Sequence, residues 1–255
     1  VIIDADTHIS PTPQGGNSLT IDQLLGHMDR SGVDKAVTWL QPPYLRDETE
    51  AGNAYVYRAM RDHPDRIIGF GWLDPHLGRA RVESEIRRCV EEYGFAGLKL
   101  NGAQNAFVID DAEFVMPIID AVARTSVALA FHIGGDSPEN THPTRLGAIA
   151  RRYPDLRLLM VHMGGAAFPD LSRTAIEVAS EHPNITIIGS KIEAIPILNA
   201  VRTLGAERVC FGSDAPFDLM HVALAKYRAL FEGEVSSDDQ AMILAGNIQR
   251  LLRLH

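Results

Sequence analysis

The feature that most restricts the fold is one pattern met eight times, a short apolar run followed by a helix-like stretch. The runs are VIIDAD (1–6), DKAVTWL (34–40), RIIGFGWL (66–73), FAGLKL (95–100), SVALAFHI (126–133), LRLLMVHM (156–163), NITIIGS (184–190) and ERVCFGSD (207–214). Most are rich in Val, Ile, Leu and Phe without clean polar alternation, the mark of parallel strands covered on both faces. Amphipathic segments lie between them, among them 21–32, 48–63, 79–93, 111–124 and 144–153. Several close on a stop signal just before the next run: Ser31-Gly32, His63-Pro64, Tyr93-Gly94, Tyr153-Pro154, His182-Pro183 and Leu204-Gly205. Eight units at roughly 32 residues each keep the pace of an α/β (β/α)8 TIM barrel. A doubly wound open sheet usually has fewer strands and a Gly-rich first turn; here Asp6 is followed by THIS. No composition break divides the chain, so one domain over 1–255 is expected.

The bulk charge bears on partners. A formal net charge of −9 with no basic stripe argues against nucleic acid. It leaves room for an anionic small molecule, because a pocket can be locally basic. No apolar run approaches the roughly 20 residues that span a bilayer, so no membrane partner is expected. Cys89 and Cys210 lack CxxC spacing and read as buried, reduced thiols of a reducing compartment. With no basic leader ahead of VIID, the cytoplasm is the expected location. A homodimer is the assembly entertained.

The chemistry gathers at the ends of four runs. The first ends in Asp4-Ala5-Asp6-Thr7-His8, the fifth in Phe131-His132-Ile133-Gly134-Gly135, the sixth in Val161-His162-Met163-Gly164-Gly165 and the eighth in Gly212-Ser213-Asp214. Strand side chains alternate, so Asp4, Asp6 and His8 share a face. In a TIM barrel all these C-terminal ends open into one pocket. Three imidazoles and two carboxylates there suit Zn²⁺, Mn²⁺ or Fe²⁺. Singly, each residue reads as a hydrogen-bonded strand-end histidine or a helix cap; jointly, they read as a catalytic metal site.

The motifs IDADTH (3–8), GLKLNG (97–102), FHIGG (131–135), YPDLRLLMVHMGG (153–165), FGSDAPF (211–217) and GNIQRLL (246–252) span the whole chain. In these the chain resembles the amidohydrolase superfamily, specifically the amidohydrolase-related branch. That branch includes small hydrolases, lactonases and the aminocarboxymuconate-semialdehyde and aromatic-acid decarboxylases. The resemblance implies one divalent ion, zinc first and manganese or iron as alternatives, held by Asp6, His8, His132 and Asp214. Asp6 departs from the pattern, since many members carry His there. His162 is implied as an acid/base beside the ion, and Asp214 as a second proton acceptor. In two-metal members a lysine at the position of Lys99 is carbamylated. Asp-x-His in the first run and one His in the fifth point instead to a mononuclear site. Lys99 then reads as a substrate-anion contact or as a buried partner of Asp6 or Asp214.

Arg46 and Lys191 are the first choices for gripping a substrate carboxylate, with Asp74, His142, Arg145 and Glu193 as weaker loop candidates. Trp39 and Trp72 read as packing at the barrel mouth. The expected reaction is hydrolysis of a small carboxylate-bearing lactone, ester or amide. Non-oxidative decarboxylation of an aromatic or unsaturated acid is the alternative. The short segment from Ile9 to Thr20 favours hydrolysis, because decarboxylases of this type carry larger insertions there. A catalytically silent binding barrel would have no need of the convergent histidines.

Overall fold

A computed structural model describes residues 1–11, 18–41, 45–165 and 169–254. Each apolar run supplies one strand: β1 (Ile3–Ile9), β2 (Lys35–Leu40), β3 (Ile67–Leu73), β4 (Gly97–Leu100), β5 (Ala128–Gly134), β6 (Leu158–Gly164), β7 (Ile185–Ile188) and β8 (Val209–Cys210). They pair in parallel and in sequence order, as a (β/α)8 barrel requires. The ring is drawn shut by the extended residues after β8. Ala5 N donates to Phe211 O at 3.0 Å, Asp214 N to Asp6 O at 2.8 Å and His8 N to Ala215 O at 2.8 Å. The eighth run therefore makes regular ladder pairs over two residues only. A 3-10 turn, Ala206–Arg208, takes its start, and left-handed Asp214 at φ +63° ends its extended course.

The intervening segments form helices where the amphipathic pattern places them. Ile21–Ser31 starts on a capping box between Thr20 and Gln23 and stops at Gly32, whose φ of +69° suits a residue without a Cβ. Its buried residues Leu24 and Met28 lie one turn apart. The segment expected at 111–124 is helical only over Met116–Ala123. Asp111 Oδ1 instead accepts from Glu113 N and Phe114 N, holding the chain in a turn before the helix begins.

Two apolar layers result. One fills the space between sheet and helices, with Leu24, Val56, Ile86, Ile119, Leu146, Ile197 and Leu224. The other draws on alternate strand positions, Val37 and Trp39, Ile68, Phe70 and Trp72, Ala128 and Ala130, Leu159 and Val161. That period of two marks the inside of the barrel. Cys89 and Cys210 are both buried and free, as their spacing implied. Among the described residues no helix is long and apolar enough to cross a membrane.

The paired glycines after His132 and His162 have a steric cause. β5 and β6 shift register between His132 and Gly134, bringing Gly134 opposite Gly164. A Cβ on Gly134 would stand 1.9 Å from Gly164 O, and one on Gly165 would stand 2.5 Å from Gly135 N. All but Gly135 of these four have positive φ, between +91° and +100°. Only bare backbone lets the two strand ends approach so closely. The Gly134→Ala variant should lose about 2–4 kcal/mol through the left-handed backbone and the clash together. A thermal melt reads this as a clear drop in Tm, and an unchanged melt would refute the steric argument.

Candidate metal centre

The closing hydrogen bonds between β1 and the chain after β8 bring Asp6, His8 and Asp214 to one point. One ligand atom from each lies within 4.8 Å of the others, and all three residues are buried. His8 Nε2 is 3.5 Å from Asp6 Oδ1 and 3.2 Å from Asp214 Oδ1. His8 Nδ1 donates to Leu40 O at 3.0 Å, which fixes the ring and leaves Nε2 toward the carboxylates. Trp39 Nε1 lies 3.0 Å from the same Nε2. Asp6 Oδ1 is fully buried yet has no hydrogen-bond partner. Two carboxylates and an imidazole with an orphaned buried oxygen are a donor set that fits a divalent cation.

The imidazoles of β5 and β6 complete the floor of a cavity of about 390 Å³, lined also by His8, Asp214, Asn101, Gln104, Asp136, Lys191 and Phe217. The His132 and His162 rings are 4.7 Å apart, centroid to centroid, edge to face. Burial, then the neighbouring His162 and Lys99, hold the His132 pKa well below the usual imidazole range. A neutral ring is the form that binds metal, so His132 could serve as a fourth ligand. His132 Nε2 is 3.4 Å from Asp136 Oδ2. His162 stands on a left-handed backbone, φ +68°, as do Lys191 at +54° and Asp214 at +63°. Non-glycine residues in this region are held there by their surroundings, and such strain gathers at functional sites.

Lys99 does not reach the cavity as a substrate contact. It is fully buried beneath the carboxylates, with Nζ 3.8 Å from Asp6 Oδ1 and 3.6 Å from the Trp39 ring centroid. This is the other arrangement open to it, a buried partner of Asp6. Burial pulls its pKa down to about 8 against the opposing pull of Asp6 and Asp214, so it remains largely charged at neutral pH. Burial also favours the neutral acid of Asp6, but the charge on Lys99 and the nearby His8 and His162 outweigh it and keep the carboxyl well below the usual range. Trp39 is thus more than packing, since its ring face covers a cation and its N–H meets a candidate ligand.

Arg46 is likewise placed elsewhere. Its Nε donates to Asp74 Oδ2 at 2.6 Å, outside the cavity lining, and Asn105 Nδ2 bonds the same oxygen at 2.9 Å. The ion pair holds it with Asp74, and neither residue lines the cavity. Of the two arginine and lysine choices, Lys191 alone lines the cavity, with Nζ 5.9 Å from the Phe217 ring centroid. Arg145 pairs with Asp110 and His142 caps the helix Pro143–Arg152. Asp4 is set behind Asp6 rather than beside it. Its Oδ1 accepts from Asp6 N and Ser213 N, and burial pushes its carboxyl up to about 7.

Sequence reasoning passed over Asn101, Asp136, Phe217 and Ser190. Asn101 and Phe217 stand inside the motifs GLKLNG and FGSDAPF, so position in a motif was the available signal. Asn101 Oδ1 accepts from Ala103 N and Gln104 N, which leaves its amide nitrogen as the donor at the cavity.

The family described as Amidohydrolase matches residues 3–254, nearly the whole chain. The chain belongs to the amidohydrolase family. Curated relatives include a 2-amino-3-carboxymuconate-6-semialdehyde decarboxylase of Dictyostelium discoideum, 22% identical over 254 residues, covering 85% of this chain and 69% of the relative. A gamma-resorcylate decarboxylase of Polaromonas sp. is 23% identical over 295 residues, 92% of this chain and 87% of its own. Among solved structures, a 2,6-dihydroxybenzoate decarboxylase complexed with 2,6-dihydroxybenzoate superimposes with a TM-score of 0.82 at 19% identity, covering 99% and 98% of the two chains. A dihydroxybenzoic acid decarboxylase of Polaromonas sp. with bound manganese and 2-nitroresorcinol gives 0.80 at 20% identity, covering 99% and 97%. These superpositions agree with the TIM barrel found here.

The donor set generates a direct test. Protein prepared without chelator should carry about one divalent ion per chain by elemental analysis. Asp6→Asn and His132→Ala should each weaken retention by more than about tenfold, since each removes one of few donors. Protein that stays metal-free after exposure to Zn²⁺, Mn²⁺ and Fe²⁺ would refute the site.

Proposed function

We propose that this member of the family is a metal-dependent, non-oxidative decarboxylase of a small aromatic or unsaturated carboxylic acid. The observation that carries the reading is the placement of His162. Its Nδ1 is tied to the wall by Ser190 Oγ at 2.9 Å, while its Nε2 lies 4.0 Å from Asp214 Oδ1 in the cavity floor. An imidazole held by one nitrogen can pass a proton through the other. The decarboxylase relatives support the choice of reaction, and their match extends over most of both chains.

Asp6, His8, His132 and Asp214 would hold the ion. Their mixture of carboxylates and imidazoles suits manganese as well as zinc. When bound, the ion supplies positive charge against the substrate's oxygens and draws electron density from the carbon that loses its carboxylate. Lys191 and the Asn101 amide would grip and orient a carboxylate or phenolic oxygen. Phe217 and Ile133 offer apolar surface to a ring. His162, whose Nδ1 hydrogen stays with Ser190, takes a solvent proton on Nε2 and delivers it to the ring carbon. The new C–H bond draws its pair from the π system; the bond from that carbon to the carboxylate then breaks, CO₂ leaves, and the freed pair restores the π system. The net change is one proton gained and one CO₂ lost.

Hydrolysis, the expectation drawn from the short Ile9–Thr20 segment, gives way to this reading. Residues 12–17 of that segment lie outside the described residues. The length of a loop governs what covers a site, whereas the acid/base and its neighbours govern which bond breaks.

The test is a panel of 2,6-dihydroxybenzoate, other ortho-hydroxybenzoates, lactones and amides offered to protein loaded with Mn²⁺ or Zn²⁺. The expected outcome is CO₂ release from an aromatic acid, with one deuterium entering the product carbon in D₂O. Turnover confined to lactones or amides would overturn the reading. With a substrate in hand, His162→Ala should keep the ion and lose about a hundredfold in kcat. Lys191→Met should chiefly raise KM, by roughly tenfold or more, as expected for a lost charged contact.

A further inference from the structure

We propose that Ser190 is a positioning residue that couples Asp6 to His162 and fixes which nitrogen of His162 faces the substrate. The proposal rests on the acid/base reading of His162. Ser190 lies two residues beyond β7, is fully buried, and is bonded on both sides. Its Oγ is 2.5 Å from Asp6 Oδ2 and 2.9 Å from His162 Nδ1. Its main-chain oxygen also lies 3.3 Å from His162 Nδ1.

Hydrogen counting orients the bridge. A serine hydroxyl has one hydrogen, and an ionised carboxylate can only accept. The Ser190 hydrogen therefore goes to Asp6 Oδ2. Ser190 Oγ is then left as an acceptor, and its partner His162 Nδ1 must be the donor. The main-chain oxygen beside it, which can only accept, favours the same tautomer through a longer and weaker contact. The Nδ1 hydrogen is thus committed to the wall, and Nε2 is the nitrogen left for proton exchange at the cavity.

A direct contact would not do this. His162 Nδ1 is 3.7 Å from Asp6 Oδ2, beyond hydrogen-bond reach, so the hydroxyl fills the gap. The backbone around it is shaped to admit the bridge. A Cβ on Gly212 would stand 3.1 Å from Asp6 Cβ, 3.3 Å from Ser190 Cβ and 2.6 Å from Ile188 Cγ2. The bare glycine after β8 is what lets β1 and the end of β7 bring these two side chains together. His162 in turn sits on a left-handed backbone that its neighbours must hold. Ser190 thus links a metal-holding carboxylate of β1 to the proton-transferring imidazole of β6.

The experiment compares wild type with Ser190→Ala, Ser190→Thr and Ser190→Cys as protein loaded with diamagnetic Zn²⁺. The first readout is ¹⁵N NMR of the histidine side chains, with His162→Asn used to assign His162. Wild type and Ser190→Thr should show a single Nδ1–H tautomer for His162. Ser190→Ala and Ser190→Cys, left with only the longer 3.3 Å main-chain contact, should show a mixed or shifted pattern. This readout needs no substrate, so it stands or falls separately from the decarboxylase reading. The second readout is the split between kcat and KM on whichever substrate is turned over. Ser190→Ala should lose roughly tenfold in kcat, the weight of a lost buried hydrogen bond, with KM within about threefold of wild type. Ser190→Thr should recover most of it. If Ser190→Ala does not fold, the Thr and Cys pair makes the same comparison. An unchanged His162 tautomer in the variants lacking the hydroxyl, or an unchanged kcat, would overturn the proposal.

Discussion

Two carboxylates held out of water at the end of a barrel set the terms for everything around them. Asp6 and Asp214 are buried with one oxygen each turned to one spot, where like charges repel and burial weakens the screening that water would give. The protein answers with cations and donors on every side. Lys99 comes from below, His8 stands between them, Ser190 bonds one Asp6 oxygen, and main-chain N–H groups brace Asp4 just behind. One Asp6 oxygen still has no hydrogen-bond partner. That deficit is the physical case for a divalent ion, since it is the remaining charge the cluster lacks.

Lys99 explains why the interior of the barrel is aromatic on one side. A buried ammonium with no hydrogen-bond acceptor needs another source of negative potential. The Trp39 ring face supplies it at 3.6 Å, with Trp72 further off at 5.7 Å and Phe70 packed edge-on against Trp39. The aromatic layer thereby supports the charged layer above it. The same Trp39 turns its N–H to His8, so packing and site geometry are set by one side chain.

The strand ends carry the strain this arrangement costs. His162, Lys191 and Asp214 all occupy left-handed backbone, and the four glycines after His132 and His162 let β5 and β6 touch. Regular strands would carry successive side chains to opposite faces and past the cavity. The bends instead turn His162 and Asp214 back over the floor. The stiff ladder below absorbs this distortion, which is why the chemistry sits where the ladders stop.

Much of this was legible in the sequence because it depends on local pattern. Eight apolar runs with stop signals determined eight covered strands, and covered parallel strands in unbroken βα order close into a barrel. The residues at the run ends, Asp6, His8, His132, His162 and Asp214, could be named because every strand of such a barrel opens its C-terminal end to one mouth. Distances between runs were another matter. Lys99 and Arg46 looked alike as strand-end cations, yet Lys99 pairs with buried Asp6 and Arg46 with Asp74 outside the cavity lining. Ser190 looked like the tail of an apolar run, and only the closing of β1 against β8 across Gly212 makes it a bridge between Asp6 and His162. Periodicity in one chain segment fixes which face a side chain takes. Which partner it meets there is decided by contacts among strands far apart in sequence, and those exist only once the barrel has closed.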